Sequence, residues 1–101
     1  MKNVLLLGRT GIVLDDVKEQ LDVSDVELFA GTSLDDVREA FEANQIDTVV
    51  MGAGLDLELR VRIIEAIFDA SQTTTVHMKD FASGPGGMLP FVNGILKGLD
   101  T

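Results

Sequence analysis

At 101 residues the chain has the length of one domain, and residues 1–101 are read as a single α/β unit, whole or part of a larger assembly. Hydrophobic residues make up 46% and charged residues 25%, a globular usage that excludes intrinsic disorder and fibrous repeats. With 17 Asp+Glu against 8 Lys+Arg the net charge is -9, which argues against nucleic acid and anionic membrane surfaces as partners. The absence of cysteine removes disulfides, thiolate metal sites and a cysteine nucleophile. The apolar stretches are too short to span a bilayer, and the opening MKNVLLLG runs into a turn rather than a cleavage site, so a cytoplasmic protein is expected.

Asn3 to Leu7 is a continuous apolar run closed by Gly8, the signature of a strand buried on both faces. From Ile12 to Leu21, Val13, Val17 and Leu21 recur every four residues and predict an amphipathic helix. Val26 to Ala30 is a second strand, ending at Gly31. Ser33 then caps a helix whose first turn carries Asp35 and Asp36, and whose buried stripe is Leu34, Val37 and Phe41. Ile46 to Met51 is a third strand, followed by Gly52, Ala53 and Gly54.

The next segment is ambiguous at first. Leu55, Leu57, Leu59 and Val61 alternate with Asp56, Glu58, Arg60 and Arg62 as in a strand, yet Val61, Ile64, Ile67 and Phe68 follow a helical stripe. A helix from about Asp56 to Ala70 is expected, because a strand would end with no turn. Leu59, Ile63 and Ala66 lie beside that stripe, and so broad an apolar face points to burial on two sides, the second against another subunit in a homodimer. Thr73 to Met78 is the fourth strand, Ala82 to Gly87 a glycine-rich loop, and Met88 to Leu99 a last helix with Pro90 in its first turn.

Four strand-helix units predict a three-layer αβα sandwich on a four-stranded parallel sheet of order 2-1-3-4, Rossmann-like or flavodoxin-like. Ligands of such sheets bind beyond the carboxyl ends of the strands, where successive connections leave toward opposite faces, here between strands one and three. Four loops meet there: 8–11, 31–33, 52–55 and 79–87. Gly8, Arg9, Thr10 and Gly11 either cradle a phosphate or make a tight turn. Gly52, Ala53 and Gly54 permit close approach of a ring or a sugar, or simply turn the chain. Arg9 and Lys79, two of eight basic side chains, fall on this edge and favour an anionic ligand, although Lys79 also has Asp80 beside it. Together Gly8, Arg9, Thr10, Gly11, Gly52, Ala53, Gly54 and Lys79 are the candidate binding residues, with NAD(P) or another nucleotide as the ligand class. The stretch from Lys79 to Gly87 is either an anion nest, a cover over the crevice or a long connection.

No catalytic set emerges. His77 is the sole histidine and sits in a strand; Asp15, Asp16, Asp35 and Asp36 are read as helix-start charges; none of the four serines, Ser24, Ser33, Ser71 and Ser83, stands in a nucleophile elbow. No metal site is proposed, and an enzyme ranks behind a binding or interaction domain.

The stretch NVLLLGRTGIV resembles the opening of atypical short-chain dehydrogenases of the NmrA-like kind, IDTVVMGAG resembles their third or fourth strand with its terminal glycine, and VHMKDFASGPGGMLPF their post-strand loop. These cover about half the chain. The resemblance implies a dinucleotide-binding half, but Leu14 stands where the third glycine belongs, Phe29, Ala30 and Gly31 replace the ribose-binding acid, and the catalytic tyrosine is missing because the chain has no tyrosine. In size and alternation the chain is also similar to receiver domains of response regulators. Gly8 and Arg9 then stand in place of the acidic pair, and Met51 and Gly52 in place of the phosphorylated aspartate, which implies a degenerate receiver that serves as an interaction module.

Overall fold

The computed structural model describes residues 2–8, 26–52, 55–78 and 94–95. Four strands, β1 (Lys2–Leu7), β2 (Val26–Gly31), β3 (Thr48–Met51) and β4 (Thr75–Met78), form one parallel sheet of order β2-β1-β3-β4. Two helices, α1 (Leu34–Ala43) and α2 (Leu57–Ala70), pack against each other and share the same hydrophobic core. The fold is thus the expected α/β sandwich with the expected strand order. The predicted helix at Ile12 to Leu21 and the loop at Ala82 to Gly87 lie outside the described residues, and of the predicted last helix only Gly94 and Ile95 are described, both helical.

The burial pattern explains the sheet. Val4, Leu5, Leu6 and Leu7 are all buried, so β1 is covered on both faces as its unbroken apolar run requires. Leu5, Leu7, Val49 and Met51 join Val37, Ile63 and Ile67 in the core on the helix side, while Val4, Leu6 and Val50, at the alternate positions, are buried on the other face. Register aligns Leu7, Gly31, Met51 and Met78 at the carboxyl ends of the four strands.

Both helices start where their side chains satisfy free amides. Ser33 Oγ accepts from the Asp36 amide at 3.2 Å, as its position before Leu34 predicts. Asp56, expected inside the second helix, instead caps it, its Oδ1 accepting from the Leu59 amide at 2.8 Å. The third and fourth strands begin two residues later than expected, at Thr48 and Thr75. The broad apolar face of α2 divides in two. Ile63 and Ile67 enter the core, whereas Val61 and Phe68, expected in the main stripe, are exposed together with Leu57. Helical spacing identifies apolar arcs but does not say which of them the sheet takes.

Candidate functional site

Of the eight candidate binding residues, Gly8 and Gly52 are described, and the structure brings them to neighbouring positions at the carboxyl edge, beyond β1 and β3. Arg9, Thr10, Gly11, Ala53, Gly54 and Lys79 lie outside the described residues. The Gly8 amide donates to the Gly31 carbonyl at 3.2 Å, and the Gly52 amide donates to the Leu7 carbonyl at 2.7 Å. Both glycines therefore prolong the ladder by one residue, and their N–H groups point along the sheet. What they offer a ligand is the lack of a side chain, so that backbone can be approached closely.

The loop after β2 is filled from within. Asp36 Oδ2 accepts from the Thr32 amide at 2.8 Å and from the Thr32 hydroxyl at 3.3 Å. These bonds, the Thr32 amide first and then the Ser33 and Thr32 side chains, hold the Asp36 carboxyl below the usual aspartate range. Gly31 is what lets Asp36 come so close, because a Cβ there would stand 2.8 Å from Asp36 Cβ and 3.1 Å from Leu7 Cδ2. The β2 end of the crevice thus presents a carboxylate, and the Thr32 amide is already engaged.

The β3 end is the opposite. Arg60, only 6% exposed, projects from the first turns of α2, with its Nε donating to the Leu55 carbonyl and its Nη2 to the Gly52 carbonyl, each at 3.0 Å. A buried cation is costly unless hydrogen-bonded, and these carbonyls hold it behind the β3 turn. In the sequence Arg60 is one of the alternating charges Asp56, Glu58, Arg60 and Arg62. The signal that identifies it is helical: Arg60, Ile63 and Ile67 are spaced three and four apart on the buried arc.

His77 pairs in register with Val50, one residue inside the edge, and its Nε2 is buried without a hydrogen-bond partner. A separate open groove of about 290 Å³ lies between α1 and α2, lined by Val37, Arg38, Phe41, Glu42, Ala66, Asp69 and Ala70. Most of these belong to the C-terminal halves of the helices, which in a parallel α/β fold lie toward the amino edge of the sheet, away from the glycines. Among the described residues there is no cluster of three or more metal-ligating side chains, and no helix long and apolar enough to cross a membrane.

No protein-family model, curated protein or solved structure matches this chain. The sheet order sets β3 directly beside β1, the flavodoxin-like 2-1-3-4 order that the receiver-like resemblance implies, rather than the 3-2-1-4 order of a dinucleotide-binding sheet.

Proposed function

We propose that this is a cytoplasmic, non-catalytic domain that binds a small anionic ligand, a nucleotide such as NAD(P) or another, at the carboxyl edge between β1 and β3. The observation that carries this reading is Arg60. In a chain of net charge -9 its guanidinium is buried behind Gly52, at the carboxyl end of β3 beside β1, the edge at which parallel α/β sheets bind ligands. Asp36 confines the anion to the β1–β3 side, since the β2 loop is occupied by a carboxylate. A thermal-shift titration with NAD, NADP, ATP and inorganic phosphate tests it. A ligand at about 100 times its dissociation constant adds about 2.7 kcal/mol and raises the midpoint, and Arg9→Ala should remove that rise. No rise with any of the four, or a rise that Arg9→Ala leaves whole, overturns the reading.

A second reading, self-association as a homodimeric interaction module without a small ligand, is favoured by a different observation. Leu57, Val61 and Phe68 are 70%, 46% and 49% exposed on one helix. Sedimentation of the wild type over a wide concentration range tests it, and a chain that stays monomeric throughout rules it out.

A further inference from the structure

β2 and β4 are the outer strands of the sheet, and they differ. β2 carries Glu27, a charge of the kind that guards an outer strand against further pairing. β4 reads Thr75, Val76, His77 and Met78, with no proline and no carboxylate, Lys or Arg. In its parallel ladder with β3 the Thr75 amide donates to the Asp47 carbonyl. Backbone groups alternate along a strand, so Thr75 and His77 turn theirs toward β3, and Val76 and Met78 turn theirs outward. Those two N–H and two C=O groups have no hydrogen-bond partner among the described residues.

The free side of β4 is overhung by α2. α1 packs on β2, and α2 lies on the other side of α1, above β3 and β4, which it connects. Ala66, Asp69 and Ala70 face α1 across the groove, so the opposite flank of α2 looks out past β4. There Val76 and Ile64 both pack at the margin of the core, and Met78, on the same face of the strand as Val76, is 47% exposed. Val61 and Phe68 continue this apolar surface up the helix. Its solvent rim holds Glu65 and Asp69, neither of which makes an ion pair or hydrogen bond among the described residues.

We propose that β4 receives an extended segment of a partner protein as an added strand, apolar at the alternate positions that turn toward α2 and flanked by Lys or Arg. The backbone defines the occupant as a strand, because extended chain presents donors and acceptors at the spacing of the Val76 and Met78 groups. The overhang of α2 decides which face of that strand is apolar. The acidic rim selects basic flanks and opposes a second copy, since pairing two β4 strands would bring together two such rims on chains that each carry -9. The inference is independent of both readings above: the anion site lies between β1 and β3, and self-association assigns the same flank of α2 to a different occupant.

Short labelled peptides test this, with valine, isoleucine or phenylalanine alternating with threonine and a lysine at each end. At least one should bind saturably by fluorescence anisotropy, more weakly as salt is added, and should slow hydrogen exchange of the Val76 and Met78 amides, which exchange fast in the protein alone. Met78→Pro removes an outward N–H that β3 does not use, a change an outer strand tolerates. It should keep the circular dichroism spectrum and weaken binding about tenfold. Methylating alternate amides of the peptide should do the same to the wild type, which keeps the test independent of how the variant folds. Val76 and Met78 amides already protected without peptide, equal binding of the methylated peptide, or no binding by any lysine-ended peptide overturns the added strand. Equal binding of glutamate-ended peptides overturns the basic partner. A wild-type dimer that Met78→Pro dissociates overturns it in favour of a second copy on β4.

Discussion

The two edges of the sheet are built on opposite plans. At the amino edge polar side chains lace distant segments together. Asp47 Oδ2 accepts from the Asn3 amide at 2.8 Å, the Asp47 amide donates to the Asn3 carbonyl at 2.9 Å, and Asn3 Nδ2 donates to the Gln45 carbonyl at 2.8 Å. The Thr75 amide donates to the Asp47 carbonyl at 3.1 Å, the Thr48 and Thr75 hydroxyls meet at 2.9 Å, and the Thr74 hydroxyl donates to the Ile46 carbonyl at 2.7 Å. At the carboxyl edge Gly8, Gly31 and Gly52 bring no side chains, and the β3 turn hangs on one guanidinium. Among the described residues the side-chain bonds that tie one strand segment to another lie at the amino edge and span up to 44 residues of sequence.

Four substitutions test that division. Arg60→Met should have the largest effect, because it withdraws the buried donor from both the Gly52 and Leu55 carbonyls. A loss of about 2–4 kcal/mol is expected by urea unfolding, and a loss below about 1 kcal/mol would mean that the carboxyl edge does not depend on this tether. Gly31→Ala follows at about 1–3 kcal/mol, since the new methyl must displace Asp36 and the Leu7 side chain. Its cost would vanish only if the start of α1 could shift freely. Asp47→Ala should cost about 1–2 kcal/mol by leaving the part-buried Asn3 amide without its carboxylate acceptor; a neutral result would show that the amino edge holds its register without this lacing.

The smallest effect is one of pH. The Asp36 carboxyl is held below the usual aspartate range, so its contribution is present above that range and is lost as pH falls through the lowered value. Asp36→Asn should therefore flatten the acid limb of a stability-versus-pH profile and leave the neutral limb parallel to wild type. An unchanged acid limb would remove Asp36 from the description of the carboxyl edge.

Much of the scaffold is legible from residue order. The unbroken apolar run of β1 requires cover on both faces, Ser33 before Leu34 marks the start of α1, and the glycines mark the strand ends. The sides of α2 are not legible, because it carries two apolar arcs, and the decision that Ile63 goes inward and Phe68 outward is made by the sheet and by α1. The same holds for Arg60, which looks like one more surface charge until the Ile63–Ile67 arc is known to be buried. At the site, the positions of Gly8 and Gly52 are readable, but the direction of their amides depends on parallel register between distant strands. The loop filled by Asp36 is equally hidden, since a helix-start carboxylate has the same signature whether it faces water or turns back on its own loop.

The bonds from Arg60 to Gly52 and Leu55 also have a dynamic consequence. One side chain, rooted in the opening turns of α2, holds a carbonyl at each end of the β3–α2 connection. Local opening of that connection must break both contacts, and fraying of the first turn of α2 releases them, so the turn and the helix start form one cooperative opening unit. In amide hydrogen exchange the Leu59 and Arg60 amides at the start of α2 should accordingly share an opening event with the Gly52 amide, and a ligand resting on Gly52 would slow all three together.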